Sequence, residues 1–404
     1  MDDNRQQMIA QIKALKELQR RRAKRTFHDF LQYVNPKYEM KWYHRLIADY
    51  CQMLFEGVVP KLMVTCPPQH GKSEIVSRLF PAWALGVEPE LKMVGCSYSA
   101  TLSGGFNRAI QRVIGGDEYK ALFPDTFLND ERLAKYRGYI CNAEMFETVG
   151  HGGFYKSVGV GGSLTGTPAD IAIIDDPVKD AMEANSPVSR DNVWEWYTSV
   201  LSTRLHKDSK QLLVMTRWHE DDLIGRLEKS GEKIIELVSL SQLDDVPKDA
   251  WLQINFPAIK VGAPTEVDPR EEGEALWPER HSLNDLLAAK ALDPVQFECL
   301  YQGNPSSAEA IKAGHETLRL MATKAQRCFG VGFKNVGYMG ACLRDNESYK
   351  RESVFATEVL WKPVFEPDAQ MLSAIGDGVL KLNQAMQTPS YIDENRMRRL
   401  TGIE

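Results

Sequence analysis

Short apolar runs alternate with helical patterns between residues 27 and 240, and this alternation is what most constrains the fold. Each run ends at small or polar residues. The runs are Leu62–Cys66, Leu91–Ser97, Ile171–Asp175 and Gln211–Thr216, and the helical patterns are Tyr43–Phe55, Lys72–Leu85, Ala100–Ile114 and Asn192–Leu205. Strands that alternate with helices predict an α/β fold in which helices cover both faces of a mostly parallel sheet. Ligands of such sheets bind at the carboxyl ends of the strands.

The segment that follows the first predicted strand is typical of a phosphate-binding loop. It reads CPPQHGKS over residues 66–73 and opens the next predicted helix. In such a loop, backbone N–H groups surround the nucleotide phosphates, a lysine adds positive charge, and a hydroxyl binds Mg²⁺. Cys66 replaces the first glycine of the pattern GxxxxGK[ST], so an ordinary strand-to-helix turn is the alternative. We expect the loop to bind ATP and Mg²⁺ through Pro68, Gln69, His70, Gly71, Lys72 and Ser73, with Lys72 catalytic and Ser73 on the metal.

Two adjacent carboxylates, Asp175 and Asp176, follow the third predicted strand. A strand end can present the first carboxylate to a metal beside the phosphate loop, while the second orients and deprotonates the attacking water. We therefore expect Asp175 to hold Mg²⁺ and Asp176 to act as the general base. Many ATPases of this kind carry Asp-Glu, so Asp176 is one methylene shorter than the usual base. A solvated turn is the alternative interpretation.

The fourth predicted strand also ends in polar residues, Thr216 and Arg217. Thr216 would lie beside the phosphate loop, where its hydroxyl could sense the γ-phosphate through a hydrogen bond. Arg217 could carry that state to a neighbouring subdomain. The alternative interpretation is a plain strand with a charged exit.

Charge is unevenly distributed along the chain. The net charge is −6, which argues against a general nucleic-acid coat, but residues 1–26 hold eight Lys/Arg and three Asp/Glu, giving 8 − 3 = +5. Ile12, Leu15 and Leu18 recur every three residues in this arm, which favours an amphipathic helix. The arm is either a solvated helix or a contact for DNA phosphates or a partner.

Two other features bear on the environment of the protein. No apolar run approaches the roughly 18 residues needed to span a bilayer, and residues 1–25 lack the apolar stretch of a signal peptide. The seven cysteines are scattered without a CxxC pair. This pattern indicates reduced thiols rather than a zinc site or a disulfide framework. We therefore expect a cytoplasmic protein that does not contact membranes.

Taken in order, these motifs resemble those of the large terminase subunit of tailed phages. The phosphate loop is similar to that of the family, including the missing first glycine. The resemblance covers residues 27–305, and its further blocks are Ser97-Tyr98-Ser99, Gly159–Gly162, Thr165-Gly166, Ile174–Pro177, Thr216–Leu223, Ala275–Arg280 and Tyr301–Pro305. The resemblance implies the ATPase part of that subunit.

Such a motor hydrolyses ATP to push double-stranded DNA into a procapsid. The resemblance implies a homo-oligomeric ring in the host cytoplasm, acting transiently at the portal protein ring, with a terminase small subunit choosing the DNA. Ring ATPases commonly use an arginine from a neighbouring subunit to stabilise transition-state charge. Some family members carry it just before the second acidic block, where Thr167 stands here. Arg204 and Arg217 are the remaining candidates.

We predict four regions along the chain: a basic helical arm (1–26), a P-loop ATPase core (27–240), a closing region (241–305) and a small α-rich C-terminal region (306–404). Large terminases usually continue into an RNase H-type nuclease, but the resemblance fades after Pro305. The remaining aspartates do not each end an apolar strand, so we expect no working nuclease. They are Asp345, Asp368, Asp377 and Asp393. Residues 361–403 are faintly similar to the C-terminal end of some phage portal proteins.

Two alternative functions stay open on the sequence. One is a helicase-like or other DNA-stimulated ATPase, although no second, similar domain is visible. The other is a non-enzymatic prophage remnant that keeps the fold. ATP turnover distinguishes the remnant from both ATPases.

Overall fold

The computed structural model describes residues 2–129 and 138–306, and also residues 308 and 312. Residues 1–308 form one compact unit, and residues 309–404 fall in a second. The predictions for the C-terminal region, including the missing nuclease and the portal-like segment, therefore lie outside the described residues. None of the helices in the described ranges combines the length and apolar character needed to cross a membrane.

Eight strands of the described residues form one sheet. They are β1 (Lys61–Thr65), β2 (Lys92–Ser97), β3 (Met145–Glu147), β4 (Phe154–Gly159), β5 (Ala169–Asp175), β6 (Leu205–Met215), β7 (Ile234–Glu236) and β8 (Trp251–Asn255). Their order across the sheet is β3-β4-β2-β5-β6-β1-β8-β7. Every neighbouring pair is parallel except β3 and β4. The predicted mostly parallel sheet is confirmed, and the four predicted strands are its inner four.

Helices connect the strands and cover the sheet. In the described residues they are α1 (Asp2–Arg25), α2 (Phe27–Val34), α3 (Trp42–Glu56), α4 (Lys72–Glu74), α5 (Phe80–Val87), α6 (Ala100–Gly115), α7 (Asp117–Leu122), α8 (Ala181–Asn185), α9 (Pro187–Glu195), α10 (Leu223–Lys229), α11 (Leu283–Leu292) and α12 (Pro294–Leu300). Two π-helical turns continue α4 and α9, at Ile75–Leu79 and Trp196–Leu201, and 3₁₀ turns lie at Ser202–Arg204 and Leu240–Asp245. The four helical patterns predicted between the strands all correspond to helical segments.

Both faces of the sheet are buried. Successive side chains of a strand point to opposite faces, so one strand serves two apolar clusters. In β5, Ile171 and Ile173 pack in the cluster that includes α2, α3 and α5, whereas Ala172 and Ile174 pack in the cluster that includes α9 and α10. The buried part of each inner strand is therefore mostly apolar, and in β6 that part is residues 211–215. This explains why these strands could be predicted from the sequence.

The predicted closing region shares the sheet of the ATPase core. Its strand β8 pairs with β1 in parallel, from Leu62 opposite Leu252 to Thr65 opposite Asn255. A buried ion pair fixes the loop that follows, because Arg270 donates to Asp268 at 2.9 and 2.7 Å. The closing region is thus fastened next to the strand that carries the phosphate loop. The proposed division of residues 1–305 into arm, core and closing region stays a proposal.

Candidate active site at the carboxyl edge of the sheet

Three of the polar strand ends lie side by side. In the sheet, β6 runs between β1 and β5. The phosphate loop follows β1, the paired aspartates end β5, and Thr216 follows β6. Because the three strands are parallel, their carboxyl ends meet at one edge of the sheet. Thr216 therefore lies between the phosphate loop and the aspartates.

The phosphate loop bends through two residues with positive φ, Gln69 at 60° and Gly71 at 81°. A Cβ on Gly71 would lie 2.5 Å from Tyr38 Oη and 2.8 Å from His44 Nε2. Glycine is thus required both for the left-handed backbone and for the close approach of these two rings. The loop conformation depends on this residue, and the absent first glycine is not needed for it.

Two side chains of helix α3 bind the backbone of the phosphate loop. His44 Nε2 lies 2.8 Å from the carbonyl oxygen of His70, and Tyr43 Oη donates to the same oxygen at 3.2 Å. The His70 ring stacks on His281 of the closing region, with ring centroids 4.4 Å apart. Burial lowers the pKa of His70 and of His44 to about 4, so both rings are neutral at physiological pH. His70 therefore acts structurally, and its predicted contribution to phosphate binding would be made by its backbone.

Lys72 begins helix α4 and is 6% exposed. Its Nζ lies 3.0 Å from Asp176 Oδ2 and hydrogen-bonds to Thr216 Oγ1. A buried ammonium requires such partners, since an unpaired buried charge is very costly. The predicted phosphate lysine, general base and γ-phosphate sensor are therefore brought together in one cluster.

Asp175 is buried, at 1% exposure, and accepts hydrogen bonds from Ser73 Oγ at 3.2 Å and from Ser77 Oγ at 2.6 Å. Burial raises the pKa of Asp175 to about 6, and the negative charge of Asp176 adds to this effect. Lys72 and the two hydroxyls oppose the rise. The two residues predicted to hold Mg²⁺, Ser73 and Asp175, are thus direct neighbours.

Ser77 is a site residue that the sequence interpretation missed. It lies in the π-helical turn Ile75–Leu79, between α4 and α5. Pro81, in the first turn of α5, has no N–H to donate and its ring crowds the preceding turn. A wider turn accommodates a proline inside a continuous helix, and such turns are common at functional sites. The turn places the Ser77 hydroxyl on Asp175.

Asp176 adopts a left-handed backbone, with φ of 45°. For a residue with a side chain this conformation costs on the order of 1 kcal/mol or more. The surroundings enforce it: Asp176 Oδ1 accepts from the backbone N–H of Thr216 at 2.7 Å and from Thr216 Oγ1 at 3.2 Å. The carboxylate predicted to be the general base is thereby held against Thr216.

The segment after Thr216 is joined to two helices by ion pairs. Arg217 is 6% exposed, and its Nε donates to Asp222 Oδ2 at 2.6 Å. Asp222 also caps α10 by accepting from the backbone N–H of Gly225 at 3.1 Å. The Arg217 guanidinium is therefore buried and paired within its own subunit. This favours the predicted coupling role over the alternative role of acting on the ATP site of a neighbouring subunit.

A second carboxylate in this segment, Asp221, accepts from three cations. Arg190 of α9 donates to it at 3.2 Å, Arg226 of α10 at 2.8 Å, and Lys229 of α10 at 3.0 Å. The turn that begins at Thr216 is thus anchored to both helices.

Arg204 lies far from this cluster. It precedes β6, whose carboxyl end is Met215. Leu205 lies opposite Ala169 at the start of β5 and Val214 lies opposite Asp175 at its end, so six strand steps of about 3.3 Å, or roughly 20 Å, separate Leu205 from the site. Arg204 therefore belongs to the opposite edge of the sheet and cannot serve the site of its own subunit. Its predicted action on a neighbouring subunit stays a prediction. Thr167, at the place of the family arginine, accepts a hydrogen bond from Lys156 Nζ at 3.0 Å.

A parallel sheet with a phosphate loop after one strand and a buried carboxylate beside the loop hydroxyl defines a P-loop ATPase. Residues 63–290, which are more than half of the chain, match the family model for the N-terminal part of T4-like terminase large subunits. The chain therefore belongs to the terminase large-subunit family, the DNA-packaging ATPases of tailed phages. The resemblance stated from the motifs is confirmed.

Solved structures that resemble the chain are also large terminases. The ATPase domain of the Thermus phage P74-26 large terminase is 16% identical, with a TM-score of 0.40, over 67% of this chain and 95% of that one. A variant of that domain is 14% identical, with a TM-score of 0.41, over 67% and 96%. The bacteriophage HK97 large terminase is 10% identical, with a TM-score of 0.41, over 66% of this chain and 50% of that one. No curated protein gave a significant match.

Proposed function

We propose that this chain hydrolyses ATP at the Lys72–Asp175 site and uses the energy to move double-stranded DNA into a procapsid. One observation carries the proposal for the site. Lys72, Asp176 and Thr216 form a single hydrogen-bonded cluster at three adjacent strand ends, next to the Ser73–Asp175 pair. This combination supplies the charges and oxygen ligands that phosphoryl transfer requires.

Ser73 and Asp175 would hold Mg²⁺. A hydroxyl and a carboxylate oxygen 3.2 Å apart are the hard oxygen ligands that this ion prefers. An ion held by these two residues would supply positive charge that offsets the negative charge of the phosphates. Ser77 keeps the Asp175 carboxylate oriented by its hydrogen bond at 2.6 Å. The residues present therefore fit the metal.

Lys72 would exchange its partners when the nucleotide binds. Its ammonium is held by Asp176 and Thr216, which leaves it at the mouth of the phosphate loop. The β- and γ-phosphates would attract Lys72, and the Asp176 carboxylate would then be released to orient and deprotonate the attacking water. Thr216, freed from Lys72, would donate its hydroxyl to the γ-phosphate. Binding and sensing would thus use the same three side chains.

The partners and the place of action are proposed on the family alone. We propose that several copies form a ring on the portal protein, in the host cytoplasm, and that a terminase small subunit selects the DNA. Either an arginine from the neighbouring copy completes the site, with Arg204 as the remaining candidate, or the charge comes from another residue. Because Arg204 lies at the opposite edge of the sheet from its own ATP site, it could act only on the ATP site of a neighbouring copy.

Release of inorganic phosphate from ATP by the purified chain tests the proposed reaction. We expect turnover in Mg²⁺, none in excess EDTA, and recovery when Mg²⁺ is restored, because the oxygen ligands at Ser73 and Asp175 hold the metal in every cycle. The assay is run with and without double-stranded DNA and over a range of protein concentrations that permits ring assembly. Absence of turnover throughout would contradict the proposal and favour a prophage remnant.

The prediction that this chain does not cut DNA needs a separate measurement. We expect supercoiled plasmid to remain intact after prolonged incubation with the purified protein and Mn²⁺. Formation of nicked or linear plasmid, by an activity that co-purifies with the chain through two chromatographic steps, would show the prediction to be wrong.

A further inference from the structure

A basic groove lies between the end of α1 and the ends of α3 and α5. We call it the α1 groove and define it by Arg21, Arg22, Lys24 and Arg25 on one wall and Phe55 and Trp83 on the other. Its volume is about 720 Å³. It is separate from every residue assigned to ATP or Mg²⁺.

The groove lies toward the edge of the sheet opposite the phosphate loop. Helix α3 ends at Glu56 and leads into the amino end of β1, and α5 ends at Val87 and leads into the amino end of β2. The phosphate loop and Asp175 are at the carboxyl ends of the parallel strands. A ligand in the α1 groove would therefore not compete with the nucleotide.

The positive charge of the groove is largely uncompensated. Arg22, Lys24 and Arg25 are exposed, and within the described residues none of the three is in an ion pair. Arg21 pairs with Glu17 at 3.1 Å, and both are on α1. The single acid that lines the groove, Glu56, accepts a hydrogen bond from Gln52 at 2.7 Å. The groove thus presents four cations against one carboxylate.

These cations also crowd one another. Residues three and four apart on a helix are neighbours, so Arg25 faces both Arg21 and Arg22. Like charges at these spacings destabilise a helix, and a polyanion removes that repulsion. The rest of the chain is acidic, since a net charge of −6 with +5 in residues 1–26 leaves −6 − 5 = −11 for residues 27–404. Positive charge is therefore concentrated at this arm.

We propose that the α1 groove binds the phosphate backbone of double-stranded DNA. Four closely spaced cations fit phosphate oxygens, whose contacts carry most of the affinity in such complexes. Single strands are bound through bases that stack on accessible aromatic rings, whereas the Trp83 ring is almost fully covered. The identity of the polyanion as DNA rests on the proposed function, but the anion site follows from the groove itself.

Anisotropy of a short labelled duplex of arbitrary sequence, titrated with the full chain in the absence of nucleotide, tests this proposal. We expect the triple variant Arg22→Ala, Lys24→Ala, Arg25→Ala to bind at least about ten-fold more weakly. The slope of log affinity against log salt should also fall by roughly 3, about one for each cation that no longer neutralises a phosphate.

The matched control is Lys207→Ala, Lys233→Ala, Lys248→Ala. These lysines are exposed, they line no part of the α1 groove, and in the described ranges they form no ion pair. Because both triples remove the same charge, an equal loss of affinity in both would overturn the proposal, and so would parent-like binding by the groove variant. Circular dichroism melting of each variant excludes unfolding as the cause of weaker binding.

Two further outcomes are decisive. The Lys72→Ala protein should keep the DNA affinity of the parent, because the groove lies away from the nucleotide site. Parent-like DNA binding without ATP turnover would thus support the groove while the proposed motor function failed. A clear preference for a single strand over the duplex would overturn the assignment to double-stranded DNA.

Discussion

Lys72→Ala should lower the rate of ATP hydrolysis by at least about a hundred-fold, the usual effect of removing a charge that stabilises the transition state. Two effects combine in this variant. The β- and γ-phosphates lose their ammonium, and Asp176 loses the cation that lies 3.0 Å from its Oδ2. The rate is measured as phosphate release at saturating ATP and Mg²⁺, with nucleotide binding followed separately by a fluorescent analogue.

A control lysine separates this effect from a general change of charge. Lys207 is exposed in β6, away from the carboxyl edge, and forms no ion pair in the described part of the chain. Lys207→Ala should hydrolyse ATP like the parent. Should Lys72→Ala do the same, the assignment of residues 66–73 as the phosphate loop would be wrong.

Asp175→Asn should abolish turnover and yet raise the melting temperature of the metal-free protein at pH 7.5. The carboxylate is the charged ligand that holds Mg²⁺ beside Ser73, so its loss removes the metal. The ionised carboxylate also destabilises the folded state, since burial raises the pKa of Asp175 from 3.8 to about 6. Asparagine keeps the shape of the side chain. One of the two serine hydroxyls can continue to donate to the amide oxygen, while the other can reorient to accept from the amide N–H.

The pH dependence follows from the direction of that shift. Because the folded state holds the proton more tightly, Asp175 supports the fold below about pH 4, where it is protonated in both states. That support is lost as the pH rises through about 6. The variant should therefore match the parent below about pH 4 and exceed it above about pH 6. A gap of about two pKa units corresponds to about 3 kcal/mol, or roughly 5 °C for a unit of this size.

Asp176→Asn is the matched comparison for stability. Its carboxylate is 28% exposed and neutralises the buried Lys72, so its removal leaves an ammonium without its counter-charge. We expect no gain in melting temperature from this variant in EDTA. A lower melting temperature for Asp175→Asn than for the parent at pH 7.5 would show that burial does not disfavour this carboxylate.

The inner strands could be predicted from the sequence and the outer ones could not, for a physical reason. The inner strands are buried on both faces, so β1 and β5 read as unbroken apolar runs. The outer strands are short or interrupted: β3 and β7 have three residues each, and β4 contains Lys156 at a half-buried position. A strand at the margin of a sheet needs fewer apolar residues, and its pattern then resembles that of a loop.

The candidate site was predictable only where its residues lie at strand ends. Residues at strand ends were predictable, because the topology of a parallel sheet alone brings Lys72, Asp175 and Thr216 together. Ser77 was not, because its direction depends on a π-helical turn whose sequence signal is the proline at position 81. The pairing of Arg217 with Asp222 was also missed, since it depends on how tightly the chain turns after β6.

Asp221 and Asp222, which both follow β6, differ in how their ion pairs would respond to the loss of one bond. Asp221 shares its charge among three cations on two helices, so breaking any one of these bonds leaves two, and the joint is redundant. The buried ion pair of Arg217 and Asp222 is not redundant in this way, because each charge has only the other as its ion-pair partner among the described residues. In the proposed motor, force transmitted from Thr216 to α10 would act on both contacts. Asp221 would tolerate the loss of one bond, whereas separation of Arg217 from Asp222 would leave an unpaired charge in the protein interior.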